Sequence, residues 1–384
     1  MNLQTYNYFL PEKNLALEPS VPRDSSKLLI YDTTVDKIIF DYFYNLDKYL
    51  PKNSFLILNN TKVLPARVTM KKENGGKVVL LFLVNEMLGP EVDQRSLQGK
   101  NIKERVRVLT DRKVNVGDFL YFDQENYLKV IDQKEHIFEL EFNFSREHLF
   151  TLLKKYGTMP IPPYLKKSPL FKNDLLKKYQ TIFARAPVGA RLASVAAPTA
   201  SLHFTDEVFK KLDKKGIEKY FVTLHVGMGT FAPITDENIK QKKLHNEFYE
   251  VDRNTWKQIE INRNNGKKLV AVGTTVVRTL EAEVRNRNFL SPVGTLPAGS
   301  GVSQVAKNFV SSLHKTDLFI FPPYDFKMVD IMITNFHLPK SSLMMLVEAF
   351  LQHKKAKKNL VELYNIAIKN NFRFYSFGDA MVII

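Results

Sequence analysis

Residues 68–145 place the tightest constraint on the fold. Short alternating or apolar segments follow one another there: Lys77–Val84, Arg105–Leu109, Phe119–Phe122, Tyr127–Ile131 and Ile137–Phe142. Turn-forming residues separate them: Asn74-Gly75-Gly76, Val116-Gly117-Asp118, Asp123–Asn126 and Asp132–Lys134. Short strands at even spacing, punctuated this way, predict a small antiparallel barrel or sandwich. No helix of useful length is legible within these limits.

The chain on either side has a different texture. Phe55–Leu58 reads as a strand that stops at Asn59-Asn60-Thr61, where paired asparagines favour a turn. Beyond residue 146 strands and helices alternate. Thr205 is placed to cap a helix carrying Val208, Phe209 and Leu212 on one face, with Gly216 placed to end it. Tyr220–Val226 reads as a strand, Asn254–Asn264 as a helix, Lys268–Val272 as a strand and Thr275–Arg285 as a helix. Ile331–Thr334 reads as a buried strand, and Ser341 caps a helix with Leu343, Leu346, Val347 and Phe350 at helical spacing. This alternation predicts an α/β protein. The expected architecture is a large, mostly parallel α/β domain (residues 1–67 plus 146–384) with a small all-β, barrel-like domain (68–145) inserted.

Charge narrows the partners. Fifty-six Lys and Arg against 40 Asp and Glu leave +16 over 384 residues. Such an excess opposes compaction unless it serves solubility or an acidic partner. Nucleic acid is the commonest acidic partner, because each neutralised phosphate releases counterions. A generally basic proteome is the plainer explanation. The chain has no cysteine, which removes disulfides, thiolate metal sites and thiol nucleophiles, and fits a cytoplasmic protein. Met1–Leu10 lacks an apolar core, so no secretory signal is expected. The run Val78–Val84 is too short to span a bilayer.

Ligands of open α/β sheets bind beyond the carboxyl ends of strands, and the chemistry-bearing residues cluster there. Thr223–Phe231 runs from a strand into Gly227-Met228-Gly229-Thr230, whose glycines allow close backbone approach and an anion nest. A tight turn beside a core histidine, His225, is the alternative. Val270–Arg278 passes from strand through Gly273-Thr274-Thr275 into a helix whose free N–H groups suit a carboxylate or phosphate, with Arg278 one turn in. It is neither a Walker A loop nor a dinucleotide fingerprint; an ordinary capped helix is the alternative. Ile333–Ser341 ends a strand in a loop dense with Asn335, His337 and Lys340. So much polar functionality before a capped helix favours function. Val195–Phe204, with Thr199 and His203, packs small residues before a helix, which leaves room for a ligand or allows tight packing. No histidine or carboxylate spacing points to a metal, and none is expected.

Read together, these segments resemble the ribosyltransferase-isomerase family of queuosine synthesis. The matching stretches are Asn59–Arg67, Met159–Tyr164, Tyr179-Gln180-Thr181, Val195–Phe204, Thr223–Pro233, His245-Asn246-Glu247, Gly273–Glu281, Thr316–Ile320, Val329–Phe350 and Phe372–Met381, in family order along nearly the whole chain. The resemblance implies an α/β domain with an inserted β-barrel. It also implies transfer and isomerisation of the ribosyl part of S-adenosylmethionine (AdoMet) onto 7-aminomethyl-7-deazaguanine at the tRNA wobble position. Epoxyqueuosine-tRNA, adenine and methionine would result, with AdoMet a consumed substrate and no cofactor. The expected partners are tRNA and AdoMet, with no membrane, and the chain is expected to be a monomer.

On that footing His203, His225, His337 and Asp379 are expected to handle protons, and Arg67, Arg278 and Lys340 to partner charge. Thr199, Gly227, Gly229, Gly273, Thr274, Thr275 and Asn335 complete the expected substrate contacts. The chain departs from the family pattern at Val188–Ser194, an insertion, and at Lys27, Thr158, Ser201 and Pro323, where Arg, His, Gly and Gly are usual. Two other readings are a different AdoMet- or nucleotide-dependent tRNA-modifying enzyme and a non-catalytic RNA-binding protein. A rise in melting temperature with AdoMet alone would separate an enzyme from a plain RNA binder.

Overall fold

The apolar run Ser54–Asn59 is buried at every position, as a strand covered on both faces must be. It sits at the centre of the first of two compact units. The structure, a computed structural model, describes residues 3–85, 104–185, 193–227, 234–290 and 313–384. The first unit comprises Met1–Asn60, Pro198–Leu224 and Gly229–Ile384; the second comprises Thr61–Ala197 and His225–Met228.

In chain order the strands before the barrel are β1 (Lys27–Asp32), β2 (Lys37–Tyr42) and β3 (Ser54–Asn59). Those of the barrel are β4 (Arg67–Lys72), β5 (Lys77–Phe82), β6 (Glu104–Thr110), β7 (Phe119–Tyr121), β8 (Tyr127–Lys134) and β9 (Ile137–Phe142). Then follow β10 (Glu218–His225), β11 (Lys243–Glu250), β12 (Lys268–Val272), β13 (His314–Leu318), β14 (Ile331–Asn335) and β15 (Ala380–Ile383).

A nine-stranded sheet runs in the order β13-β11-β10-β3-β12-β14-β15-β1-β2. β10, β3, β12 and β14 are mutually parallel in sequence across the sheet, as expected for an α/β fold. β15 then reverses against β14, β1 runs parallel to β15, and β2 turns back as an antiparallel hairpin with β1. β11 and β13 also pair antiparallel. The α/β class holds, and the sheet is mixed, with the parallel run β10-β3-β12-β14 inside it. Apolar runs such as Leu28–Tyr31 or Ala380–Ile383 do not encode chain direction; the connections do.

Local signals explain the helices. Thr205 Oγ1 accepts the Val208 N–H at 3.3 Å and opens the helix Asp206–Lys214, with Asp206 and Glu207 at its positive end. Gly216, at φ +77°, terminates it in a conformation that side chains resist. Ser341 likewise caps Ser342–His353 through the Met344 N–H.

The second unit holds a closed antiparallel barrel, β4-β5-β6-β9-β8-β7, sealed where Lys71 and Lys72 of β4 pair with Tyr121 and Leu120 of β7. Closure removes exposed strand edges. Alternate residues point inward, so Val68, Met70, Val78, Leu80, Phe82, Val108, Leu128 and Leu140 fill the interior. The helix Arg146–Tyr156 ends at Gly157, where any Cβ would lie 1.8 Å from the Pro65 carbonyl oxygen. Glycine is required there by close backbone approach. Among the described residues no helix is long and apolar enough to cross a membrane.

Candidate functional site

In the first unit, β14 delivers Asn335 to its carboxyl end, and the 3-10 turn Thr199–His203 carries His203 to it. Asn335 Nδ2 donates to His203 Nε2 at 3.1 Å and leans on the Asp379 carbonyl at 3.4 Å. An amide nitrogen only donates, so Nε2 is the acceptor and the ring proton sits on Nδ1, 2.9 Å from Ser26 Oγ. Phe43 packs on the ring at 5.0 Å. Burial, helped by the positive charges of Arg373 and Arg23, pushes the His203 pKa down to about 3. The imidazole is therefore neutral at any physiological pH.

His337 stands three residues after Thr334, whose Oγ1 lies 2.9 Å from His337 Nε2. Its backbone is held twice: its N–H donates to Tyr364 Oη at 2.9 Å, and Tyr8 Oη donates to its carbonyl at 2.5 Å. Burial lowers its pKa to about 3 as well. Lys340, at φ +56°, donates its N–H to the Tyr6 carbonyl, which fixes the loop around His337.

Asp379 is a strut as much as a titrating group. Its Oδ1 accepts the Lys27 N–H at 3.0 Å and its Oδ2 the Arg373 N–H at 2.7 Å, while the Arg373 guanidinium lies 3.6 Å away. Burial still outweighs these partners and raises its pKa.

The second expected feature is the start of the helix Thr274–Leu290. Gly273 adopts φ +92°, and its N–H is taken by the Ile333 carbonyl. A Cβ there would only touch Thr275 Oγ1 at 3.6 Å and Ala200 at 3.7 Å, so backbone conformation, not space, calls for glycine. Thr274 is buried and Thr199 half-buried. Three buried polar atoms near this end of the sheet lack a hydrogen bond: Thr275 Oγ1, Ser201 Oγ and Asn335 Oδ1. Ser201 thus carries a hydroxyl that the described residues leave unsatisfied. Buried polar atoms are normally paired, so such a set is suited to a polar ligand.

Arg278 is buried, with Nη1 2.5 Å from Glu247 Oε2; its Nε and Nη2 have no partner. A cavity of about 10 Å³, room for one water, lies against it among Leu244, His245, Leu343 and Leu346. The expected charge partner of Arg278 therefore already exists within the fold as a carboxylate. Glu247→Gln should strand the guanidinium and destabilise the protein by roughly 3 kcal/mol. Urea unfolding measures this, with Glu207→Gln on the exposed Lys210 pair as a near-neutral control.

In the second unit, His225 ends β10, with Nδ1 3.3 Å from Thr61 Oγ1. Thr61 Oγ1 in turn meets Ser194 Oγ at 2.7 Å, and Ser194 Oγ accepts the Val226 N–H at 2.8 Å. His225 Nε2 has no hydrogen bond among the described residues. Burial lowers the His225 pKa to about 4, the smallest depression of the three histidines. Gly227 is buried just beyond it. Arg67 opens β4; its buried Nε is unpartnered, and its backbone pairs with Thr158 in both directions. Gly229 and residues 188–192 of the insertion lie outside the described residues. Among the described residues no group of three His, Asp or Glu is placed to hold a metal.

Sequence reading thus located the histidines, Asn335 and the Gly273–Thr275 turn, and the fold joins His203 to Asn335 and the Asp379 backbone. It missed Ser26, Thr61 and Thr334, which meet the imidazoles, and Ser194, which holds Thr61. Thr61 and Thr334 lay inside quoted stretches; Ser26 gave no signal at all.

An α/β unit with buried imidazoles at strand ends and a glycine-led helix start is compatible with an enzyme. A family model described as "Queuosine biosynthesis protein" matches residues 3–383. Proteins named S-adenosylmethionine:tRNA ribosyltransferase-isomerase are similar over their full length and that of this chain. They include those of Thermosipho melanesiensis, 41% identical, Caldanaerobacter subterraneus, 38%, and Staphylococcus saprophyticus, 36%. The chain belongs to the queuosine biosynthesis protein family.

Proposed function

We propose that this protein transfers and isomerises the ribosyl moiety of AdoMet onto 7-aminomethyl-7-deazaguanine at the tRNA wobble position. The products are epoxyqueuosine-tRNA, adenine and methionine, and AdoMet is consumed rather than recycled. The observation that carries this reading is the end-to-end correspondence with relatives named for AdoMet:tRNA ribosyl transfer and isomerisation.

The geometry suits the chemistry. A proton must leave the carbon beside the sulfonium, which asks for a neutral base. His225 fits best, since Thr61 orients its Nδ1 side and Nε2 has no hydrogen bond among the described residues. His203, neutral and held between Ser26 and Asn335, serves as a positioned hydrogen-bonding group, and His337 stiffens the adjacent loop. The departing adenine needs a proton, for which the raised pKa of Asp379 is suited. The methionine carboxylate is assigned to the N–H groups of Thr274 and Thr275 at the positive end of their helix. Lys340 adds positive charge, while Arg278 is committed to Glu247.

Incubating the protein with AdoMet and tRNA bearing the aminomethyl base, then digesting to nucleosides, should yield epoxyqueuosine by mass spectrometry with one free adenine per product. Folded protein that binds AdoMet but forms neither would overturn the reading.

A further inference from the structure

We infer that the stretch Thr151–Arg185 of the second unit is the surface that docks RNA, with Phe171 as a stacking platform for an unpaired base. This rests on the reading of tRNA as substrate and adds where the RNA is held. The stretch carries eight Lys and Arg (Lys154, Lys155, Lys166, Lys167, Lys172, Lys177, Lys178 and Arg185) against a single acid, Asp174. That local excess of seven is a large part of the chain's +16. A field of one sign on so short a segment repels itself and is relieved by a polyanion.

Exposure and anchoring point the same way. Phe171 is 81% exposed and Ile182 49% exposed. Lys154, Lys155, Lys167, Lys177 and Arg185 are exposed along the same stretch of chain. Phe171 precedes the helix Lys172–Lys178 in extended backbone conformation and makes no side-chain cap. Its ring is presented to solvent by a segment that is otherwise pinned. Leu175 and Tyr179 are buried, and Gln180 hydrogen-bonds both the N–H and the carbonyl of Val63, at 3.2 and 2.6 Å. A fixed platform loses little entropy on binding. Interleaved cations and an exposed ring are what single-stranded nucleic acid selects, because every base offers a π-face and every nucleotide a phosphate. The wobble base lies in a single-stranded loop, so unstacked neighbours are at hand for Phe171.

The test compares tRNA affinity, by fluorescence anisotropy across a salt series, for the full-length protein, for Phe171→Ser and for the triple variant Lys167→Gln, Lys177→Gln, Arg185→Gln. The triple variant should bind about tenfold or more weaker, and its slope of log affinity against log salt should fall by about two. Phe171→Ser should weaken binding by about fivefold or more with the slope unchanged. AdoMet binding should not move, and melting temperatures should shift by only a few degrees, since every changed side chain is exposed. Variants that bind and respond to salt like the parent, while the parent converts tRNA, would overturn the docking surface and leave the proposed reaction standing. A parent protein that binds no tRNA, or binds anionic vesicles through these residues instead, would overturn the surface and the tRNA reading together.

Discussion

His225→Ala should reduce turnover by about 10²- to 10⁴-fold while leaving AdoMet binding nearly intact. That is the range a positioned general base contributes. The expectation rests on three features of this imidazole: it ends β10, Thr61 Oγ1 orients its Nδ1, and its pKa of about 4 keeps it neutral with the highest basicity of the three buried histidines. The loss should fall on kcat rather than KM, because the proton moves only in the chemical step. Single-turnover kinetics with both substrates saturating measures it. His225→Ala with normal kcat would transfer the role of base elsewhere. Thr61→Val should give a smaller loss, since it leaves the imidazole in place and removes only its orienting hydroxyl.

Acid should destabilise the protein well before its carboxylates titrate. His203 and His337 take up protons near pH 3 and His225 near pH 4, against about 6.5 in the unfolded chain. Between those values and pH 6.5 the unfolded chain binds more protons. Stability is therefore complete above pH 6.5 and is lost as pH falls. One pH unit is worth up to about 1.4 kcal/mol per histidine. Going from pH 7 to pH 5 should then cost about 2 kcal/mol for each, or about 4 kcal/mol in the first unit, where His203 and His337 reside. Asp379 opposes the trend, because burial raises its pKa and protonation relieves it. Urea midpoints at pH 7 and pH 5 give the difference, and His203→Gln should shrink it. Equal midpoints would mean that these imidazoles are solvated or already charged.

Much of the fold was legible because its signals are local. The strand Lys268–Val272 and the last barrel strand, Ile137–Phe142, have the limits the sequence predicts, and Thr205 and Gly216 bracket their helix as expected. The strands that escaped depend on distant partners. β1 acquires its place from β15, with Leu28 opposite Ala380, and neither segment advertises the other. β4 shows lysines and an arginine along much of its length and reads as a polar linker until β5 and β7 claim its edges. The mixed direction of the sheet has the same origin: β15 meets β14 antiparallel, Asn335 opposite Ala380, because of the path between them. In the candidate site, residues with strong chemistry at strand ends were visible. The hydroxyls that orient them were not, since Ser26 meets His203 across 177 positions of sequence.

The central claim is that the ribosyl group of AdoMet, not its methyl group, enters the RNA. Two preparations of AdoMet test it most directly, one labelled in the ribose carbons and one in the methyl group, each incubated with the protein and tRNA carrying 7-aminomethyl-7-deazaguanine. The proposed reaction predicts ribose label in the wobble nucleoside, with methyl label leaving in methionine. Methyl label in the nucleoside, or no label from either preparation while the protein binds both substrates, would contradict it.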